Sequence, residues 1–293
     1  MLNNFMDDYI EYMINEKRLS QNSVNAYIRD ANLFKDYLLD NDISSLGDIN
    51  KTNVITYLVF LQKSGKSVST LSRSLASIRC LFQYLHNKSI IGEDPTLNLK
   101  TIKKEKKAPT ILTIEEIEMI LDAPDTKTSK GARDKALLEL LYATGLKVSE
   151  ICALNIENID MNLGTLIIYE GENNRIVPIG KMAISSVKYY LNTYRTGSKA
   201  NEPLFLNYSG CRITRQGLWK IIKSYSYIAS IDKNITPQVL RNTFAVHLLH
   251  NGADTKIVQE LLGNVDNGSS SIYSSNYDHS AIRKTYNNSH PRA

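Results

Sequence analysis

Helical hydrophobic periodicity fills the first part of the chain and constrains its fold more than any other feature. Apolar residues recur at steps of three and four from Leu2 onward, and again after Ser20, a candidate N-cap. Two further stripes run over about residues 50–62 and 67–86. Because short amphipathic helices are stable only when their apolar faces pack together, this pattern predicts a small bundle of four helices.

A basic stretch without apolar periodicity follows the bundle. Asp94 and Pro95 end the helical pattern, and residues 96–110 (TLNLKTIKKEKKAPT) contain five lysines. We therefore expect an N-terminal helical domain over residues 1–95, an exposed basic linker over 96–110 and a second domain over 111–293. The linker suits a solvated tether and contact with a phosphate backbone equally well.

The second domain mixes helical and strand patterns. Thr113 and Glu116 have the spacing of a capping box, and a helix is expected over about residues 133–142. Two apolar, β-branched segments, 164–169 and 175–179, are joined by EGENN and predict a hairpin. Further helices are expected near Val148, Ala183, Thr214, Thr236 and Thr255. The predicted fold class is mainly α with a small antiparallel β-sheet.

Composition and charge exclude several classes of protein. Of the 293 residues, 42% are hydrophobic and 22% charged, as in ordinary globular proteins. There is no apolar run near the roughly 20 residues of a membrane span. The N-terminus has no signal pattern, and the cysteines are too few and scattered for a disulfide framework or a zinc site. We expect a cytoplasmic protein with no metal and no membrane partner. The net charge of +5 permits a nucleic-acid partner without requiring one.

A collinear set of motifs runs through nearly the whole chain. The motifs are LSQNSVNAYIRD (19–30), LASIRCLFQYLH (75–86), ARDKALLELLYATGLKVSEICAL (132–154), RIVPIG (175–180), ITRQGLWKIIKSYSYIASI (213–231), TPQVLRNTFAVHLLHNGADTKIVQELLGN (236–264), SIY (271–273) and HPRA (290–293). Together they resemble the tyrosine recombinases of the phage integrase family, most of all the bacterial Xer proteins. The resemblance implies an N-terminal four-helix core-binding domain and a mixed α/β domain of the catalytic type, clamped around double-stranded DNA. It also implies a homo-oligomer, or a hetero-oligomer with a related recombinase, on DNA and no cofactor.

The family's reaction sets out which residues to look for. A tyrosine attacks the scissile phosphate and leaves a 3′-phosphotyrosine and a free 5′-hydroxyl. Two arginines hold the phosphate, a lysine protonates the leaving oxygen, and two histidines assist. The resemblance assigns the nucleophile to Tyr273 and the second arginine to Arg241. Tyr277, displaced by four residues, is the alternative nucleophile.

The other four positions have changed. Lys147 replaces the first arginine and lacks the planar fork that a bidentate clamp needs. Glu170 replaces the proton-donating lysine of the hairpin with an anion. Gln238 and Asn264 replace the histidines and cannot exchange protons near pH 7. Because one missing general acid typically costs about 10²–10⁴ in rate, the site is expected to be impaired.

Candidate DNA contacts lie on helices in both domains. Thr214 caps a helix whose Arg215 and Gln216 suit base edges, while Trp219 on the same helix is expected to be mostly packed. The remaining candidates are expected on exposed polar faces, for which a merely solvated surface is the alternative. They are Lys220 and Lys223 for phosphates, and Asn25, Arg29, Thr70, Arg73, Ser74 and Ser77 in the N-terminal domain.

The C-terminal segment is a candidate assembly element. Ile282 and Tyr286 lie four apart, so a short helix would present both to a groove on a neighbouring protomer. A frayed terminus is the alternative, and His290 is expected to be exposed.

The sequence therefore predicts a Xer-like, site-specific DNA-binding protein that is a catalytically impaired or inactive pseudoenzyme and serves as an architectural partner. Two alternatives stay open. One is an active or weakly active DNA strand-exchange recombinase that uses Tyr273, Arg241 and Lys147 in a non-standard site. The other is a protein-interaction module that acts through the C-terminal segment.

Overall fold

The computed structural model describes residues 5–100, 108–170, 173–263 and 279–293. For Glu170, Asn173 and residues 279–281, it describes the backbone only. The chain divides into two compact units, Met1–Lys107 and Ala108–Ala293. No helix in the described part of the chain is long and apolar enough to cross a membrane.

The first unit is helical, as its periodicity predicts. Its helices are α1 (Met6–Glu11), which continues into a π-helical turn (Tyr12–Glu16), α2 (Gln21–Asp40), α3 (Lys51–Lys63) and α4 (Val68–Asn87). The hydroxyl of Ser20 caps α2 by accepting the backbone N–H of Ser23. Aromatic side chains fill the core, where Phe34 contacts the rings of Tyr57 and Phe82.

The second unit is built around one helix that is buried on nearly every side. Its helices are α5 (Ile114–Asp122), α6 (Ser129–Thr144), α7 (Val148–Ala153), α8 (Lys181–Tyr194), α9 (Arg215–Ile228), α10 (Pro237–His250), α11 (Thr255–Leu262) and α12 (His279–Ser289). Every residue of α6 from Ala136 to Thr144 is buried, and α8 and α10 pack against it. A helix apolar on all sides belongs in a core.

A small antiparallel sheet completes this unit and confirms the predicted fold class. Its strands are β1 (Ile159–Asp160), β2 (Thr165–Glu170) and β3 (Asn173–Pro178), in the order β1-β2-β3. The predicted hairpin is present, but its strands reach further than expected. Glu170 pairs with Asn173, so only two residues separate the strands. Two-residue connections are the commonest in β-hairpins, and this one is shorter than the five-residue link predicted from EGENN.

The C-terminal segment, residues 282–293, lies in a groove of its own unit. Ile282 and Tyr286 are buried. The Tyr286 hydroxyl donates to the Ala143 carbonyl (2.9 Å) and accepts the Gly180 N–H (3.0 Å). Gly180 has no room for a side chain, because a Cβ there would come within 2.3 Å of the Arg292 carbonyl oxygen. The alternative of a frayed terminus is therefore wrong for this segment.

The expectation that His290 is exposed is also wrong. Its side chain is buried because the ring stacks on Tyr286, with centroids 4.9 Å apart, and also contacts Tyr142. Nδ1 accepts the Arg292 N–H (3.1 Å), so the neutral ring carries its proton on Nε2, which donates to the Tyr142 carbonyl (3.2 Å). Arg292 is fixed in turn by two bonds to the buried carboxylate of Glu139.

Burial of His290 makes the stability of the second unit depend on pH. Desolvation lowers the pKa of His290 from 6.5 to about 4, so the unfolded chain binds a proton in this range and the folded chain does not. We therefore expect the free energy of unfolding to fall as the pH drops from about 6.5 to about 4. The slope should approach about 1.4 kcal/mol per pH unit. Below pH 4 this group should contribute no further loss.

The measurement is urea unfolding across this pH range with His290→Gln, whose amide does not titrate. The variant should be less stable at pH 7 and show a flatter pH dependence between 4 and 6.5. His250→Gln, at an exposed position on α10, is the matched control. Equal slopes for His290→Gln and the unmodified protein would contradict the assignment.

Candidate active site and DNA interface

The C-terminal end of α11 gathers cationic side chains from three other parts of the second unit. The last carbonyls of a helix have no partner within the helix and carry partial negative charge, and α11 ends at Gly263 in a left-handed conformation. Three successive carbonyls accept hydrogen bonds: Leu261 from Arg175 Nε (3.2 Å), Leu262 from Arg241 Nη2 (2.6 Å) and Gly263 from Lys147 Nζ (3.4 Å).

Arg241 is the most deeply placed of these cations. It lies in the second turn of α10, after the Thr236 N-cap, and its side chain is buried. Nη1 donates to the carbonyl of Gly145 (2.6 Å), the residue that ends α6. One guanidinium therefore fixes the ends of α6 and α11 against α10.

Glu150 is the counter-ion that holds Lys147 and Arg175. Its carboxylate accepts hydrogen bonds from both terminal nitrogens of Arg175 (3.3 and 3.0 Å). It also accepts the Lys147 backbone N–H (2.7 Å), which caps α7, and lies 3.4 Å from Lys147 Nζ. Glu150 and Arg175 are almost buried, whereas the Lys147 side chain is 42% exposed. Of the three cations, Lys147 is thus the one that an anion arriving from solvent reaches most easily.

Sequence reasoning missed Glu150 and Arg175. The spacing of Lys147 and Glu150 is that of a capping box, so Glu150 could have been found from the sequence as a local cap. Arg175 stands out only as a charge within the apolar segment RIVPIG. Its role depends on β3 lying beside the end of α11, which no local pattern shows.

The structure brings together two of the six predicted positions, Lys147 and Arg241. Gln238 lies one turn before Arg241 on the exposed side of α10, and its amide donates to Asn242 (2.9 Å). The backbone of Glu170 ends β2, but its side chain lies outside the described part of the structure. So do Asn264, Tyr273 and the alternative nucleophile Tyr277.

Helix α9 presents a basic surface. Arg215 and Gln216 are exposed in its first turn, where Thr214 caps the helix by accepting the Gly217 N–H (3.0 Å). Lys220 is exposed, and Lys223 lies 5.1 Å from the centroid of the Trp219 ring. The expectation that Trp219 is mostly packed is wrong, because its side chain is 46% exposed beside the lysine that covers one face of its ring.

Buried polar contacts fix the other side of α9. Tyr225 donates its hydroxyl to Asp134 (3.0 Å), which is fully buried and also accepts two bonds from Arg133. Burial raises the pKa of the Asp134 carboxyl despite the Arg133 guanidinium beside it. Just before α9, Arg212 donates to the carbonyls at the end of α7 (2.7–3.2 Å). Helix α7 thus carries Lys147 at its start and is joined to α9 at its end.

In the first unit, the predicted DNA-contacting residues divide into exposed and buried sets. Asn25 and Arg29 are exposed on α2, and Thr70 is half-buried. Arg73 is exposed and makes two bonds to the buried carboxylate of Asp30 (2.9 and 3.0 Å), which raise the pKa of Arg73.

Ser74 and Ser77 do not lie on this exposed surface, so that expectation is wrong. Both side chains are buried, and Ser77 donates its hydroxyl to the Tyr27 carbonyl of α2 (2.8 Å). Small hydroxyl side chains allow these helices to approach closely, so the buried face of α4 is wider than its apolar stripe.

Comparison with known proteins identifies the family. The model of the phage integrase family matches residues 110–280, and that of the phage integrase N-terminal SAM-like domain matches residues 6–89. The tyrosine recombinase XerD of Staphylococcus epidermidis is 40% identical over 296 residues, and XerD of Listeria innocua is 36% identical over 298, each covering 100% of both chains. The chain belongs to the phage integrase family. Within it, the chain is a Xer-like tyrosine recombinase by sequence.

A solved structure of the phage integrase fold agrees with this assignment. The crystal structure of the XerH site-specific recombinase bound to a palindromic difH substrate, a post-cleavage complex, has a TM-score of 0.70 to this chain. The likeness covers 89% of this chain and 78% of that chain at 23% identity. At that identity, it shows that the fold is shared.

Glu150 should be essential to the stability of this site. Replacing it by Gln removes the carboxylate charge that pairs with the nearly buried Arg175, so Glu150→Gln should lower the free energy of unfolding by about 3–5 kcal/mol. Urea unfolding at neutral pH measures this loss. The control is Glu157→Gln, at an exposed position in the same unit, which should change stability by less than about 0.5 kcal/mol. Similar midpoints for both variants would show that Glu150 is not the counter-ion of the cluster.

Proposed function

We propose that this protein binds specific sites on duplex DNA as an oligomer and that its strand-cleavage activity is impaired. The observation that carries the first part is α9, which exposes Arg215 and Gln216 while buried contacts fix its other side. The XerH structure named above holds a DNA substrate on the same fold. We assign residues 1–95 and 111–293 to the two DNA-binding domains and residues 96–110 to a basic linker between them.

DNA recognition would use two classes of contact. Arg215 and Gln216, at the start of a helix, can reach base edges and supply sequence preference. Lysines in the linker and on α9 suit phosphates, which position the protein and make binding depend on salt. In the first unit, Asn25, Arg29 and Arg73 supply further contacts, with Arg73 held in place by Asp30.

Removal of the base-reading side chains should relax sequence preference. A pool of random duplexes is enriched for binding to the unmodified protein, and affinity for an enriched sequence is compared with that for unselected DNA. Arg215→Ala should weaken binding to the enriched sequence by about 1–3 kcal/mol and unselected binding much less. Lys188→Ala removes one positive charge from an exposed position on α8 and is the control. Affinity that does not fall with rising salt would contradict contact with phosphates. Equal preference for the enriched sequence in the unmodified protein, Arg215→Ala and Lys188→Ala would contradict sequence recognition by Arg215.

Impaired cleavage follows from the chemistry of the changed positions. Lys147 supplies a point charge but no bidentate clamp, and Glu150 partly neutralises it. When Tyr273 attacks, the bond from phosphorus to the 5′ oxygen breaks, and that oxygen needs a proton. Glu170, an anion at neutral pH, stands where the family has its donor, and Gln238 can only hydrogen-bond. The transition state therefore loses charge stabilisation and proton donation together.

A nicked suicide duplex that contains the enriched sequence tests this directly, because cleavage traps a covalent protein–DNA adduct. The unmodified protein should form little adduct. Restoring the residues that the family has at the changed positions should raise adduct formation in combination and do little singly, because these residues act on one transition state. The substitutions are Lys147→Arg, Glu170→Lys, Gln238→His and Asn264→His. Addition of Tyr273→Phe to the combined variant should abolish the adduct. Efficient adduct formation by the unmodified protein, or by Glu170→Lys alone, would overturn the proposal and support an active enzyme with a non-standard site.

The active enzyme remains the second candidate, because XerD relatives match the full chain at 36–40% identity. An interaction module acting through the C-terminal segment has less support. Tyr286, His290 and Arg292 make buried contacts within their own unit. For assembly on DNA, we propose that this segment exchanges between the identical grooves of neighbouring protomers, which would keep each of these contacts.

A further inference from the structure

An exposed row of aromatic and basic side chains runs along α9 beyond its first turn. At about 100° per residue, Lys223 and Tyr227 follow Gln216 on one side of the helix. Trp219 lies at the edge of this side, next to the buried Ile222. Trp219 is 46% exposed and Tyr227 is 87% exposed. Isolated exposed apolar residues need no explanation, but two large rings in register with lysines form a surface.

The charge of this surface favours a polyanion. Helix α9 contains Arg215, Lys220 and Lys223 but no aspartate or glutamate. The charged side chains that this helix itself contributes are therefore all positive.

The row is also held in a defined geometry. Lys223 Nζ lies over the Trp219 ring at 5.1 Å, a cation–π contact, and donates to the side-chain oxygen of Asn234. Asn234 comes just before Thr236, the N-cap of α10, the helix that carries Arg241. The row thus extends from the predicted base-reading turn toward the element that bears the phosphate-binding arginine.

Trp and Tyr each combine a flat apolar ring with a hydrogen-bond donor at its edge. The backbone of duplex DNA presents sugar faces between phosphate oxygens, and side-chain donors commonly bind those oxygens. Bases in an intact duplex are stacked on one another, so their faces are not open to these rings. From Gln216 to Tyr227, the helix rises about 16 Å, enough to pass several nucleotides of one strand at about 3.4 Å per step.

We propose that Trp219 and Tyr227 bind the sugar–phosphate backbone of the duplex whose base edges face Arg215 and Gln216. The inference rests on the proposed DNA-binding function and adds two contacts that carry no sequence information. These contacts should set affinity for all sequences equally and leave preference unchanged.

The chain itself provides the probe, because Trp219 is its only tryptophan. Random 30-base-pair duplexes are titrated into the full-length protein while tryptophan emission is recorded. Saturating DNA should change the emission and should reduce quenching by acrylamide several-fold. Unchanged emission and unchanged acrylamide access at saturation would show that Trp219 lies outside the interface.

Conservative variants then test the contact with DNA without disturbing the fold. Trp219→Phe and Tyr227→Phe keep a ring and remove the donor, so each should weaken binding roughly 2- to 10-fold for enriched and random duplexes alike. Neither variant should alter the slope of the logarithm of affinity against the logarithm of salt concentration, whereas Lys220→Ala should reduce that slope by about 1. Tyr189→Phe, at an exposed tyrosine on α8, is the control and should bind normally.

The outcomes distinguish this inference from the function on which it rests. If the unmodified protein binds no duplex, both fail. If it binds DNA while Trp219→Phe and Tyr227→Phe bind as tightly as Tyr189→Phe, the inference alone fails. The row would then be available to a protein partner instead. A loss confined to the enriched sequence would also contradict it, because that result would make these residues base readers.

Discussion

The carbonyls at the C-terminal end of α11 need partners, and the arrangement of the candidate site depends on how they obtain them. A helix end with unpaired carbonyls is costly to bury unless donors satisfy it. Here the donors are side chains from α10, from β3 and from the residue before α7. Because they are arginines and lysine, the requirement for hydrogen bonds also concentrates positive charge. Two of these cations, Lys147 and Arg175, pair with the carboxylate of Glu150, while Arg241 donates to backbone carbonyls. Cationic donors gathered in this way suit a phosphate.

The sequence was most informative where structure is local. Periodicity predicted the helices of the first unit, and the β-branched segments predicted the hairpin, because each pattern follows from which residues of one element face the core. The resemblance to the tyrosine recombinases assigned Lys147 and Arg241 to one site. The errors at Ser74, Ser77, Trp219 and His290 share a different cause. Burial of those side chains is decided by a second element, such as α2 against α4, and its position cannot be read from the residues beside them.

The predicted DNA-contacting residues of α9 and the changed positions of the candidate site lie on different elements. Of the changed positions in the described part of the chain, Lys147 lies just before α7, the backbone of Glu170 ends β2 and Gln238 lies in the first turn of α10. The predicted base-reading residues lie on α9. Helix α7 joins the two regions, because it begins after Lys147 and, at its other end, accepts bonds from Arg212, which lies just before α9. Substitutions at the changed positions can therefore leave α9 in place, since the bonds that hold it come from Tyr225 and, just before the helix, from Arg212.

The contacts of the C-terminal segment have a consequence for biosynthesis. Tyr286 bonds to Ala143 and Arg292 to Glu139, across 143 and 153 residues of intervening chain. Helix α6 therefore leaves the ribosome long before the residues that cover one of its sides. In the interval, the carboxylate of Glu139 and the ring of Tyr142 lack their final partners. The groove therefore stays uncovered until residues 282–293 have been synthesised. Contacts so distant in sequence also slow folding itself, which makes the closing of this groove a late event in the maturation of the protein.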